Sequence, residues 1–163
     1  MQRSLFAWMV LLCGALWFAA PVSAARAHVN ILDPAMTLTP NATDYGNDYI
    51  ELTGASGMRV QLWTNSATGV ALYVQCADAA PRIALADFLV RTGTAPGPGG
   101  TSLATYTAVA SANLALWSSG VVVPPWGQVN VDIRIKNLYA YPGDPGGGVT
   151  NYTDNLTFTV LVQ

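Results

Sequence analysis

The sequence predicts an all-β domain, and three observations point there. Many short runs rich in Val, Thr, Leu, Tyr and Trp alternate apolar and polar residues at a period of two. Gly, Pro, Asn and Asp punctuate those runs at close intervals. After residue 27 no stretch carries a convincing amphipathic-helix spacing. Short strands separated by turn signals indicate a sandwich or a barrel.

The chain opens on a different kind of segment. Arg3 is the only charge before Arg26, and an unbroken apolar run of 16 residues spans Leu5 to Ala20. Pro21 and small residues follow. A basic start, an apolar middle and a small-x-small end form a secretory signal peptide, residues 1–27, with cleavage after Ala24 or Ala27. The run is shorter than the ~20 residues a membrane-spanning helix needs. The expected product is secreted, with no membrane segment in its mature form.

The candidate strands follow in order: Met36–Thr39, Tyr49–Thr53, Met58–Asn65, Val70–Cys76, Ile83–Arg91, Ala104–Ala110, Leu114–Ser118, Gln128–Leu138 and Asn155–Val162. Turn signals separate them at 41–47, 54–57, 65–69, 79–81, 93–100, Pro124-Pro125 and 141–148. The segment 79–90 also reads as a short helix, through Ile83, Ala86 and Val90. Two strands have the cleanest patterns. In 129–135, Val129, Val131, Ile133 and Ile135 face one way, and Asn130, Asp132 and Arg134 the other. In 156–162, Leu156, Phe158, Val160 and Val162 share a face. Burial of those four side chains is worth roughly 6–12 kcal/mol before entropy, at about 1.5–3 each, which places that strand well inside a sheet.

Composition excludes several functions. Nine acids stand against six bases once Arg3 is removed, a net charge of about −3 with no basic run to attract nucleic acid or an anionic membrane. Charged residues are 10% of the chain, where about 25% is usual. A surface so poor in charge suits packing against copies of itself, because few charges need desolvation. Cys13 leaves with the signal, and Cys76 is then alone: no disulfide within the chain is possible, and a buried small hydrophobe is expected ahead of pairing between chains.

Catalytic patterns are missing. His28 is the chain's one histidine and lies at the new N-terminus, a poor place for a triad member. His28 and Cys76 lie 48 positions apart and do not make a zinc site. No P-loop, GxSxG, HExxH or dinucleotide fingerprint occurs. The acids fall mostly in turns, and no glycosidase-like pair stands out. We therefore expect no enzyme and no required cofactor. Cleavage after Ala27 would leave His28 as a terminal copper ligand, in a segment similar to the start of periplasmic copper-binding sandwiches. Calcium has better oxygen donors: Asp44, Asn47, Asp48 and Glu51 in one loop, and Asp144, Asn151, Asp154 and Asn155 in another. Ordinary turn chemistry explains both loops equally. Asn41, Asn151 and Asn155 also start N-x-[ST] sequons.

The segment Asn151-Tyr-Thr-Asp-Asn-Leu-Thr-Phe-Thr-Val resembles the closing strand of the spore coat U and archaic chaperone–usher pilin group. The strand 129–138, the Gly-rich connection Gly143–Gly148 and the turn Tyr152-Thr153-Asp154 fit the same hairpin, and Tyr49–Gln75 extends the likeness loosely. Those pilins usually carry a disulfide, which one mature cysteine cannot form.

That resemblance implies an immunoglobulin-like sandwich lacking one strand, completed by a neighbour's N-terminal extension. The partner is then a second copy of the chain, and the product an open head-to-tail filament at the cell surface. On this reading residues 28–35 form the donor extension and 36–163 the sandwich. Ala27, Val29, Ile31 and Leu32 are the donor residues; Leu156, Phe158, Val160 and Val162 wall the groove. Two alternatives remain. One is a monomeric secreted binding module with Trp117, Trp126, Tyr139 and Tyr141 exposed for sugars. The other is a periplasmic copper- or calcium-binding protein. Trp63, Trp117 and Trp126 otherwise read as core or interface aromatics.

Overall fold

Among the described residues ten strands form: β1 (Ala27–Ile31), β2 (Tyr49–Leu52), β3 (Met58–Thr64), β4 (Val70–Cys76), β5 (Phe88–Thr94), β6 (Gly100–Ser102), β7 (Thr107–Ala108), β8 (Leu114–Ser119), β9 (Val123–Lys136) and β10 (Leu156–Val162). The computed structural model describes residues 24–38, 42–44, 46–79, 81, 83–95, 100–136 and 154–163. The expected signal segment through residue 23, and Tyr139, Tyr141, Asp144, Asn41 and 151–153, lie outside the described residues.

All the strand pairings are antiparallel. One sheet, called A here, runs β1-β3-β9-β5-β7, with β2 beside β3 on the long β9. The other, sheet B, runs β10-β4-β8-β6. The chain is an all-β sandwich. Its core lies between the sheets, with Val60, Leu62, Val90, Val129 and Val131 from sheet A against Val70, Leu72, Val74, Leu116 and Trp117 from sheet B. The strict alternation of buried and half-buried residues along β3 shows why period two folds this way. Gly69 makes the β3–β4 turn: its φ is +87°, and a Cβ there would sit 1.7 Å from the Ser119 carbonyl oxygen.

Several boundaries differ from expectation. Met36–Leu38 is not a strand, whereas Ala27–Ile31 is one, so the sandwich takes in residues assigned above to a separate extension. Residues 85–87 form a 3-10 turn before β5, which begins at Phe88 and not at Ile83. Only Thr107–Ala108 of the run 104–110 is a strand, and the glycine-rich loop ends in the unexpected β6. Pro124-Pro125 does not separate strands; it lies within β9, at a register shift opposite Leu62–Thr64. Trp126 closes that irregularity with a φ of 67°, a left-handed backbone that costs a non-glycine residue of order 1–3 kcal/mol.

The strands β9 and β10 belong to different sheets and so are not a hairpin. Nor is β10 well inside its sheet: among the described residues it is the edge. Of its four inward residues only Phe158 is buried; Leu156 and Val160 are half-buried and Val162 is 39% exposed. An edge strand has cover on one side only, which is why the expected burial falls short. Asp132, expected on a solvated face, is buried because Arg91 pairs with it at 3.0 Å and the Gly54 amide donates to it at 2.9 Å.

Candidate functional site

The two long sides of the sandwich are built differently. On one side the sheets are stitched together. The Thr92 amide donates to the Leu103 carbonyl at 2.8 Å, the Leu103 amide to Leu116 at 2.8 Å, and the Thr92 hydroxyl to Leu116 at 2.6 Å. On the other side β1 and β10 end their sheets among the described residues. They touch across the gap, but they are not hydrogen-bonded neighbours. This open seam is the candidate site, because an unpaired strand edge is a template for another strand.

The strand β10 (LTFTVLV) is seven residues long, with no charge, proline or glycine. Natural edges are normally blunted by such residues, and this one is not. Its inner neighbours β4 and β8 also lack charged side chains. The backbone of β10 pairs with β4 along its whole length, from Leu156 opposite Cys76 to Val162 opposite Val70. Leu161 is 48% exposed. The four expected groove residues thus lie together on one edge, with Phe158 rooted in the core.

The expected donor residues border the same seam, held by their own chain. In β1, Ala27, Val29 and Ile31 are half-buried and pack against the core, while His28 and Asn30 are exposed. The register on β3 runs from Ala27 opposite Thr64 to Ile31 opposite Val60, and the Leu32 amide donates to Arg59 at 2.9 Å. Behind the strand, Asp33 and Arg59 form a two-pronged ion pair, at 2.8 and 2.9 Å, and the Arg59 amide donates to the same carboxylate. The Arg59 side chain, hydrogen-bonded to it, holds the Asp33 carboxyl below its ordinary range. The alternation Ala27-Val29-Ile31 signalled a strand. What sequence reasoning missed is that its own β3 offers it a place, and the Asp33–Arg59 clasp that fixes its end.

The remaining expectations scatter. Asp44, Asn47 and Asp48 line a shallow hollow with Tyr49, Glu51 and Arg134. The Arg134 guanidinium pairs with Glu51 at 2.5 Å there, so the hollow already holds a cation. Asp154 does not line it; it accepts from the Ile83 amide at 2.8 Å. Among the described residues no three His, Cys, Asp or Glu side chains group as metal ligands. Asp78 is held below the ordinary carboxylate range by the Asn155 side chain and amide. Cys76 is free and buried, as expected. Trp117 is in the core, 2% exposed, so it is no sugar platform; Trp126 is 58% exposed and no core residue.

No family model, no curated protein and no solved structure matches the chain.

Proposed function

We propose that the protein is a secreted structural subunit that assembles head to tail with copies of itself by strand complementation at the open seam. The carrying observation is β10, a seven-residue uncharged edge with exposed Leu161 and Val162. The sheet orders support the same reading. Taking β1, β3, β4, β5, β9 and β10 as the first six strands of an immunoglobulin-like sandwich gives the order A-B-E-D in one sheet and F-C in the other. The seventh strand of that topology would lie outside β10. An added strand supplies backbone hydrogen bonds along the edge, and its alternate side chains cover Leu156 and Val160.

The donor in this reading is the segment 27–32 of the next copy. In the lone chain it rests on β3; in the polymer it leaves β3 and bridges to its neighbour's seam. Pairing of one copy's β1 with the next copy's β10 is a heterologous contact absent from the lone chain, and such contacts propagate without closing. The intramolecular pairing of β1 favours a second reading, a self-sufficient monomeric binding module.

A reversible lock separates the two. Asn30 and Gln61 are directly opposite, and their side chains meet at 3.4 Å, so N30C/Q61C places two thiols across one cross-strand pair. With residues 25–163 expressed, the oxidised variant stays monomeric in light scattering and electron microscopy, and reduction restores filaments. Filaments that form equally well when oxidised overturn donation by β1. A wild-type chain that stays monomeric at every concentration overturns assembly and leaves the monomeric module.

A further inference from the structure

The outer face of sheet A carries a second feature, complete while β1 rests on its own β3. In β1, β3 and β9 the register sets Asn30, Gln61 and Gln128 directly opposite one another. This amide row spans three strands, about 10 Å. Two residues along β3, Trp63 lies opposite His28. Trp63 and Trp126 both fall in the register shift between the Leu62–Gly127 and Thr64–Val123 pairs, so two tryptophans stand at one end of the row. Asn130 and Arg59 face each other at the other end, where Arg59 is neutralised by Asp33.

The chemistry of these groups is specific. Gln61 uses its carbonyl to accept from Asn30 at 3.4 Å, and Gln128 uses its amide N–H to donate to Asn130 at 2.6 Å. Each amide has two donor hydrogens and an acceptor oxygen, so this row keeps both kinds of group for a ligand. It carries no net charge of its own. Trp126 is a large aromatic residue, 58% exposed, on a backbone that favours glycine. Strain at an exposed aromatic residue is not explained by packing, and such outliers concentrate where something is bound. Apolar rings beside a few convergent polar groups make a recognition surface. Hydroxyl-rich rings with apolar faces match it: the C–H face lies on indole while the hydroxyls meet the amides. A lipid surface would leave the amides unpaired, and an anionic ligand would find no free cation in the row.

We infer that the β1-β3-β9 face, with Trp126, Trp63, Gln61 and Gln128, is a binding platform for neutral polysaccharide. This inference does not rest on strand exchange, and its test keeps the two apart. Leu161→Lys, on β10 and away from the platform, blocks the assembly edge and supplies a monomer. That monomer is incubated with microcrystalline cellulose, chitin, xylan and a β-1,3-glucan. Depletion from the supernatant is measured for the solids, and quenching or blue shift of tryptophan fluorescence for the soluble polymers.

Binding to at least one of the four is expected, weakened about tenfold or more, about 1.4 kcal/mol, by W126A and clearly by Q61A or Q128A. W126G supplies the second readout. It loses binding but melts at the same or a higher temperature, because glycine relieves the left-handed backbone. Three results overturn the platform: no binding to any of the four, binding that survives W126A unchanged, or a lower melting temperature for W126G, which makes the ring structural. If Leu161→Lys binds a glycan and wild type forms no filaments, the platform stands and the assembly reading fails.

Discussion

The two sides of the sandwich solve one problem in opposite ways. Where β5 meets β8, Leu103 passes backbone hydrogen bonds from Thr92 to Leu116, so one residue bridges the two sheets. Where β1 meets β10, the sheets stop without a shared hydrogen bond, and Leu156, Val160, Val29 and Ile31 are left half-buried. Closing a side satisfies its polar backbone and dries its apolar residues together. Leaving one open retains both as unused binding capacity. The contrast teaches where the proposed assembly would act: on the open side, where backbone groups and apolar residues are left with less cover.

The largest test of this contrast lies within β10 itself. Phe158 is 8% exposed and reaches the core, while Val162, four residues on, is 39% exposed at the edge. Phe158→Ala is expected to cost ~3–5 kcal/mol in chemical denaturation of the monomer. Val162→Ala is expected to change monomer stability by no more than ~0.5 kcal/mol. In assembled protein the second value rises, because a covering strand would bury that side chain. Equal effects in monomer and polymer would show that nothing covers the edge.

A smaller effect is expected on the closed side. Thr92 is 7% exposed, and its hydroxyl donates to Leu116 at 2.6 Å. Thr92→Val keeps the shape and removes the donor, leaving a buried carbonyl with one partner fewer. The cost is expected to be about 1–3 kcal/mol, read from the denaturation midpoint. Filament formation by the folded protein is expected to persist. Loss of filaments in a variant that still folds would place assembly on the wrong side of the molecule.

Much of the sandwich was legible because period two is a local signal. The runs of β3, β4, β8 and β10 needed no knowledge of their neighbours, and no end moved by more than one residue. What was not legible depends on partners distant in sequence. Nothing local marks β10 as an edge; that follows from its having β4 as partner on one side and no strand of the described residues on the other. Asp132 alternates like a solvated residue, yet Arg91 and the Gly54 amide arrive from other elements to bury it. Pro124-Pro125 broke the pattern without breaking the strand, since an irregular start to β9 absorbs both. Leu156, Phe158, Val160 and Val162 could be placed together from the sequence because they share one strand. The role of β1 was harder, because a donated strand and a retained one have the same alternation.

The smallest effect concerns what keeps β1 at home. The Asp33–Arg59 clasp sits just past the end of β1, with the Arg59 guanidinium and amide both donating to the carboxylate. Its ionised form is favoured by the fold, so the Asp33 carboxyl is lowered below its ordinary range. A folded-state value below the unfolded one adds stability that is present above the unfolded value, about pH 4, and disappears as pH falls through the folded value. Acidification below about pH 4 should therefore loosen β1 before the core yields. Asp33→Asn should produce the same loosening at neutral pH. Hydrogen exchange at the amides of β1 reads this directly, with those of β4 as the internal reference. If strand exchange proceeds through a freed β1, Asp33→Asn also speeds filament growth at neutral pH while the melting temperature moves little. Unchanged exchange in β1 would mean that the backbone ladder to β3 holds the strand unaided, and the clasp sets only the direction of the chain beyond it.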